Sequence, residues 1–496
     1  MRGEVHLRWQ RMHHLDAPMA KLAKLHRGLG QRRQRPRLRF GRLSLLCLLL
    51  LNGCVNVGPD HEVPTTVTPE KFKNTPPRGN PPPRGQWWKV FKDSELNRLL
   101  KKLNEASPNS AAALARLDQA RAELGIAKAG RWPTIRGSGD ARQQMESANS
   151  GFQIREESYE SYELDLNLDY EVDLWGRVRR QVEAARAREE AAQASYADAM
   201  LALRAELARH YFSLRSLDEE IDLLQRAVAL REEGTGLVRA RAEAGQISDD
   251  DLARAEAELE ATRADLTALE RDRAELENAI AALIGEMPSS FVLEPEAKLR
   301  NPPSIPSGLP SQLLTRRADV AEKERLLAAA CADVGVAITD FLPRITLTGT
   351  GGLASLRASD LFNPSSRLWD IGPEIEIPIF RAGLASSRKA QANSAFEEAR
   401  ANYRQAVLNA FRDTENGINA NRSLSRETDH RCRATGAAAR ASELAQARYE
   451  AGLISYLEVL DALRTHLANQ RLETQIRGDH LQAAVALVQA LGGNWN

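Results

Sequence analysis

The sequence has few cysteines, almost no net charge and no recognisable catalytic motif. Its four cysteines occur in no spacing that binds a metal ion, and Cys331 and Cys432 are predicted to be small packing residues in Ala-rich helices. The net charge of +1 gives no electrostatic reason to expect nucleic acid as a partner. No HExxH, P-loop, GxSxG or CxxC pattern is present, so the sequence does not predict an enzyme.

The first 53 residues have the pattern of a secretory signal peptide. Residues 1–42 are rich in Arg, and an apolar run follows over Leu43–Leu51. This run is less than half of the roughly 20 residues that a bilayer-spanning helix needs. A cleaved signal is therefore favoured over an uncleaved anchor helix. Because the leader is long, Met19 is a second candidate for the start of the chain.

The signal ends at a pattern that resembles the bacterial lipobox, Leu51-Asn52-Gly53-Cys54. The resemblance implies that Cys54 becomes the first mature residue and is acylated, with more than one acyl chain giving stable membrane anchoring. Val55 follows, whereas lipoproteins kept in the inner membrane have Asp there, so export to the outer membrane is expected. This covalent lipid is the only prosthetic group predicted, and no metal site is expected.

Membrane-type strands follow a Pro-rich strap. Residues 54–92 are predicted to lie on the body as the strap, with Trp87 and Trp88 packed against it, and a helix is predicted over about 93–129. Strands are predicted over 134–146 and 159–174. The second alternates polar residues with apolar ones for about 13 positions, which is long enough to span a membrane. Its apolar members are Tyr162, Leu164, Leu166, Leu168, Tyr170, Val172 and Leu174.

The chain then repeats itself. A first repeat over 93–287 contains the helix, the two strands and a proline-free helical hairpin. After a Pro-rich joint at 288–310, a second repeat over 311–496 has a helix to about 339, strands at about 344–356 and 367–379, and another hairpin. The same 207 positions separate three glycine pairs: Gly176 and Gly383, Gly245 and Gly452, Gly285 and Gly492. Constant spacing predicts two hairpins of equal length. The arm Gly383–Ala451 would measure roughly 100 Å at 1.5 Å per residue.

Each hairpin turn carries the same helix-ending and helix-starting residues. Gly245 and Gly452 suit the left-handed position after a helix end. Ser248 and Ser455 suit the next N-cap, and an acidic residue three positions later, Asp251 or Glu458, would complete a capping box. The run Asp249–Asp251 is interpreted as an acidic helix start favoured by the helix dipole rather than as a cation site.

Four strands cannot close a barrel by themselves, because closed single-chain barrels begin at about eight. An open sheet edge in lipid costs several kcal/mol for each unpaired backbone group. Copies of the chain must therefore pair edge to edge. Two copies would leave little interior, whereas three would give about twelve strands around a lumen.

Several motifs carry a family resemblance. They are Cys54–Asp60, Trp87–Asp93, Tyr170–Arg177, Gly308–Val320, Phe341–Ile345 and Arg448–Gly452. With them, the chain over about 54–496 resembles the TolC-like outer-membrane efflux proteins, specifically the lipoprotein branch of resistance–nodulation–division pumps. The resemblance implies a mixed α+β membrane protein. Three copies would form a 12-stranded outer-membrane β-barrel continued by a periplasmic α-helical barrel.

The resemblance also implies partners and a gate. The homotrimer would act as a passive exit duct for small toxic compounds, fed by an inner-membrane pump through a periplasmic adaptor protein. Adaptor hairpins would dock at the turns near Gly245, Ser248, Gly452 and Ser455. Leu457 and Asp461 match the positions that close the resting periplasmic end. Two alternatives stay open: an exit duct for type I polypeptide secretion, and a structural envelope lipoprotein without a channel.

Overall fold

A computed structural model of the chain describes residues 55–65, 69–73, 85–145, 147, 158–306, 310 and 313–493. The predicted signal peptide over 1–53 and the predicted acylation site Cys54 lie outside these residues. The predicted division into strap, first repeat, joint and second repeat stays a prediction.

The described residues contain two sets of helices and strands in the same order. In the first half these are α1 (Ser94–Ala106), α2 (Pro108–Ala129), β1 (Thr134–Gln144), β2 (Tyr159–Glu171), α3 (Arg177–Glu243) and α4 (Asp249–Ile284). In the second half they are α5 (Leu313–Arg316), α6 (Ala318–Thr339), β3 (Arg344–Ser355), β4 (Arg367–Glu376), α7 (Leu384–Glu450) and α8 (Tyr456–Ala490). No helix among the described residues is both long and apolar enough to cross a membrane.

The two hairpins match closely in length, but their arms are unequal. The outgoing helices α3 and α7 have 67 residues each, whereas the return helices α4 and α8 have 36 and 35. The outgoing arm α7 matches the predicted arm Gly383–Ala451, and the return arm α8 is about half as long. The shorter helices α2 and α6 pack along the remaining length of α3 and α7, respectively.

Two helices predicted as continuous are interrupted. Ser107 between α1 and α2 is extended, because Pro108 lacks the N–H that helix continuation needs and disfavours helical backbone in the preceding residue. Arg317 between α5 and α6 is also extended, with ψ of 123°. Its guanidinium reaches across the bundle to the carbonyl of Ala490 at 3.1 Å and to Asp319 at 2.7 Å.

The four strands form one antiparallel sheet in the order β1-β2-β3-β4. The predicted strands exist, but they end one to three residues before the predicted limits 146, 174, 356 and 379. Directly opposite residues such as Leu166 and Gly351 share one face, which carries the apolar side chains. Leu166, Trp369 and Ile375 on this face are exposed at 59–77%. Nothing within the described chain covers it.

The main core joins the end of the strap to both halves. Trp87 and Trp88 are buried, as predicted, and Phe91 packs on Phe212 of α3 with ring centroids 4.9 Å apart. Side chains from α1, α3, α4 and α8 complete the cluster. Cys331 is buried and Cys432 exposed, and both are free thiols.

The two hairpins pack directly on each other through α3 and α8, and they also share one helix. Helix α6 packs against both α3 and α7, whereas α2, its counterpart in the first half, packs along α3. The outer side of α2 exposes Leu114 and Ile126, the latter at 74%. This unequal coverage leaves one face of α2 bare in a single chain.

Candidate functional site

The hairpin turns have nearly identical backbones. Gly245 and Gly452 adopt φ of 70° and 72°, a region that residues with a Cβ rarely adopt. In the first turn the N–H of Gln246 donates to the carbonyl of Arg241 at 2.9 Å, and in the second the N–H of Leu453 donates to Arg448 at 2.9 Å. These 6→1 bonds are Schellman closures, so each turn is a tight, defined structure.

The N-caps of the return helices differ. The side chain of Ser248 accepts a hydrogen bond from the N–H of Asp251 at 3.2 Å, and its hydroxyl donates to the Asp251 carboxylate at 2.9 Å. Ser455 makes no side-chain cap bond, although its backbone is extended like that of Ser248. The capping box predicted for Ser455 with Glu458 is therefore not formed, and the second turn has one fewer side-chain restraint.

Aromatic and basic side chains join the two hairpins beside the turns. Arg241 of α3 donates to the hydroxyl of Tyr449 of α7 at 2.5 Å, and its guanidinium lies 5.4 Å from the centroid of the Tyr449 ring. Tyr449 packs on Tyr456 of α8 with ring centroids 5.4 Å apart. Partial burial raises the pKa of Tyr456, with a further contribution from Tyr449, so this hydroxyl stays neutral. We call Arg241, Tyr449 and Tyr456 the tip cluster.

A second tie lies further from the turns. Arg231 of α3 donates to the carbonyl of Glu258 of α4 at 3.1 Å, and the Glu258 carboxylate also pairs with Arg464 of α8. Burial lowers the pKa of Arg231, and the nearby positive charge of Arg464 lowers it further. The Glu258 carboxylate also lies 3.4 Å from the Arg231 guanidinium, so one carboxylate binds two cations that belong to different hairpins.

Leu457 and Asp461 lie in the first two turns of α8 and are both exposed in the single chain, Leu457 at 46%. Their spacing of four places them on one helix face. Their counterparts in the first half, Asp250 and Arg254, pair with each other at 2.9 Å. The gate role of Leu457 and Asp461 stays a prediction, as does the docking role of Gly245, Ser248, Gly452 and Ser455.

Sequence reasoning missed the tip cluster. A signal for it was present, because Tyr449 stands 207 positions after Ala242 and breaks the repeat. The presence of Tyr at this position did not predict which residue it contacts, because its partner Arg241 is 208 residues away in the sequence. The acidic run Asp249–Asp251 lies in the first turn of α4, and no cluster of metal-binding side chains occurs anywhere in the described ranges.

The polar face of the sheet is strongly acidic. Strand register places eight carboxylates and three guanidinium groups on this face. The acidic residues are Asp140, Glu163, Asp165, Asp169, Glu171, Asp370, Glu374 and Glu376, and the basic ones are Arg136, Arg142 and Arg344. Arg344 pairs with Glu171 at 2.7 Å. Arg136 and Arg142 pair with Asp169 and Asp140, so each of the three arginines has a carboxylate partner, and the carboxylates outnumber the guanidinium groups by five.

Known proteins match the chain over most of its length. The sequence model of the outer membrane efflux protein family matches residues 99–286 and 309–493. The pyoverdine export outer membrane protein OpmQ of Pseudomonas aeruginosa is 33% identical, over 83% of this chain and 87% of its own. The probable outer membrane lipoprotein SilC of Salmonella typhimurium is 28% identical, over 91% and 98%.

Among solved structures, the outer-membrane channel OprN superposes with a TM-score of 0.80 at 31% identity, covering 89% of this chain and 99% of OprN. The match therefore includes the sheet and both hairpins. The chain belongs to the outer membrane efflux protein family and works as an efflux channel in the outer membrane.

Proposed function

We propose that three copies of this chain form the exit duct of a tripartite efflux pump. The proposal rests on the surfaces that a single chain leaves without a packing partner. These are the open edges of the sheet at β1 and β4 and the bare face of α2. In lipid the edges must pair, because unpaired backbone groups there cost several kcal/mol each. Three copies satisfy both edges of every sheet and leave a lumen.

The internal duplication supplies the geometry of the helical part. Within one chain, α6 packs between α3 and α7. By the same arrangement, α2 would pack between its own α3 and the α7 of a neighbouring copy. Leu114 and Ile126, which are exposed in one chain, would then be covered. Six outgoing helices and their return arms would continue the barrel away from the membrane.

We propose that the ends with the hairpin turns form a closable gate. Exposed Leu457 and Asp461 of three copies would meet around the axis as an apolar and an acidic ring, the latter attracting cations. The tip cluster and the Glu258–Arg464 pair would hold the second hairpin against the first. An adaptor protein docking at Gly245, Ser248, Gly452 and Ser455 would reach these ties directly, and an inner-membrane pump would supply the energy.

The cargo is proposed to be small toxic molecules. Related proteins carry names that refer to pyoverdine, to cations and to toluene. Compounds this different, handled by proteins of one architecture, favour a duct that does no chemistry. The pump would then select which compounds are exported. Acylation of Cys54 would anchor each copy in the outer membrane.

The decisive experiment is single-channel recording in planar bilayers with the purified, detergent-solubilised chain, together with a deletion strain challenged with antibiotics, dyes, solvents and metals. Conductance events from an oligomer of three copies and loss of resistance are expected. An oligomer that never conducts, in a strain of unchanged resistance, would favour the structural lipoprotein.

A separate experiment tests the lipid anchor. Exchange of Cys54 for alanine should abolish labelling with palmitate, and label kept in the variant would exclude acylation at this residue.

A further inference from the structure

The four hairpin helices of one chain lie in a row. Helix α3 packs against α4 on one side and against α8 on the other, and α8 packs against both α3 and α7. The order is therefore α4-α3-α8-α7, with α4 and α7 as the outer helices. Glu270 on α4 and Arg426 on α7 are exposed, and neither makes a hydrogen bond or an ion pair with any residue that the structure describes. Two opposite charges without partners thus stand on the two outer helices.

The interface between α3 and α8 shows how an outgoing helix of one hairpin meets the return helix of the other. The Glu219 carboxylate on α3 accepts a hydrogen bond from Arg477 on α8 at 2.8 Å. One turn away, the hydroxyl of Ser216 donates to the carbonyl of Thr474 at 3.3 Å. These two bonds fix the register of the two helices within one chain.

The duplication gives each of these four residues a counterpart 207 positions away, on α7 or on α4. Ser216 and Thr474 recur unchanged as Ser423 and Thr267. Glu219 and Arg477 recur as Arg426 and Glu270, with the two signs exchanged. If α7 of one copy meets α4 of the next copy as α3 meets α8, a base therefore faces an acid again.

One neighbouring position differs between the two interfaces. A Cβ on Gly478 of α8 would stand 2.6 Å from the hydroxyl of Ser216, so α3 and α8 approach closely there. The counterpart of Gly478 is Arg271, whose side chain requires a wider spacing between α7 and α4. Arginine and glutamate have long side chains, so the Arg426–Glu270 pair can span that spacing.

The exchanged signs distinguish the two interfaces. An outgoing helix that met the wrong return helix in this register would bring like charges together, Arg426 with Arg477 or Glu219 with Glu270. Like charges held side by side disfavour an incorrect partner, and opposite charges favour the correct one. The charges thus favour α3 beside α8 within a chain and α7 beside α4 between chains.

We propose that the surface of α7 around Arg426 binds the surface of α4 around Glu270 on a second copy of this chain, and that this ion pair sets the register and the order of the hairpins around the tube. The inference rests on the proposed assembly of three copies and adds the residues that select the partner helix. Because both side chains are exposed, salt should weaken the preference.

A crosslinking experiment tests the register. The full chain carries Cys331→Ser and Cys432→Ser, and Arg426→Cys and Glu270→Cys are added to it. A short bismaleimide should join these copies into covalent dimers and trimers on denaturing gels. Within one chain the two positions are three helix spacings of about 8–10 Å apart, too far for this reagent. Arg412→Cys with Glu270→Cys is the control, because exposed Arg412 lies 14 residues, or about 21 Å, along α7 from Arg426. It should crosslink at least tenfold less.

A mixing experiment tests the role of charge. A tagged chain with Arg426→Glu and Glu270→Arg is co-expressed with the untagged parent. Each contact between unlike copies then brings like charges together, whereas copies of the same kind still match. At low salt the tagged chain should form oligomers and retain at least about tenfold less parent than a tagged parent does. The difference should shrink at about 1 M salt, where charges are screened beyond roughly 3 Å.

Arg422→Glu is the control for mixing. Arg422 is exposed one turn from Arg426, and its counterpart Arg215 bonds to Asp218 and to the carbonyl of Glu294, neither of which belongs to α8. The tagged Arg422→Glu chain should retain the parent within about twofold of the tagged parent. Free mixing of the charge-exchanged chain, or an oligomer of three that crosslinks no better through Arg426→Cys than through Arg412→Cys, would overturn this interface and leave the proposed duct intact. A chain that stays monomeric in every variant would refute the duct as well.

Discussion

Replacing Tyr449 with phenylalanine removes one hydroxyl between the hairpins and keeps the ring. The lost bond comes from the guanidinium of Arg241 at 2.5 Å in a half-buried setting. Bonds with a charged partner contribute about 1.5–3 kcal/mol, and partial exposure places this one near the lower limit. A loss of about 1.5 kcal/mol per chain changes a closed-to-open equilibrium about tenfold. Three ties that open together would give about 4.5 kcal/mol, or roughly a thousandfold.

The assay is the open probability of single channels in planar bilayers at fixed voltage and salt. Tyr449→Phe should raise it strongly, and Arg241→Met should raise it further, because the cation–π contact of about 0.5–1 kcal/mol is lost as well. Arg239→Met is the control. Arg239 pairs with Glu256 at 2.8 Å within the first hairpin, so no tie between hairpins is lost. Equal open probabilities for Tyr449→Phe and Arg239→Met would refute the assignment of this bond to the gate.

Three further outcomes follow from the charged groups. The Asp218 side chain is 1% exposed and accepts from Arg215 at 2.7 Å and from Arg273 at 2.6 Å. Asp218→Ala should therefore cost about 3–5 kcal/mol in the free energy of unfolding, measured by denaturation in detergent, against about 0.5 kcal/mol for Asp222→Ala, whose side chain is half-exposed. The acidic polar face of the sheet predicts cation selectivity, seen as the sign of the reversal potential in a salt gradient; an anion-selective channel would contradict it. Burial raises the pKa of Glu324, but its bonds with Arg325 and His61 outweigh burial and lower it below the ordinary 4.5. The melting-temperature difference between wild type and Glu324→Gln should thus be constant above about pH 5 and shrink as the pH falls through the lowered pKa; a difference that grows on acidification would contradict this.

Sequence periodicity predicted the helices and strands because it depends only on residues that are near each other in the chain. Alternation over 159–174 predicted β2, and the paired glycines predicted both turns to the residue, since a positive φ depends on one residue and its neighbours. The break at Pro108 was also within reach of the sequence, because proline acts on its own turn. The extended backbone at Arg317 was not, because its side chain bonds to Ala490, 173 residues away.

The candidate site also has parts that the sequence predicted and parts that only the structure showed. The turn residues Gly245, Ser248, Gly452 and Ser455 were located from short-range patterns. Acylation of Cys54 stays a prediction. Which residues hold the hairpins together was not accessible, because Arg241 and Tyr449 meet only when α3 of the first hairpin packs against the second hairpin in the correct register. The second capping box was predicted from residue types and spacing, and Ser455 shows that these alone do not form the cap bond.

The sequence by itself determined the duplication, the strand pairs, the hairpin lengths and the family, since each follows from spacing along the chain. Tertiary structure alone decided what the ends of those units contact. The segment after Cys54 carries no periodic signal and was predicted only as part of a strap. Its contacts with Arg180 depend on two helices from different halves and on glycines at 176 and 335, which come together only after the repeats have packed.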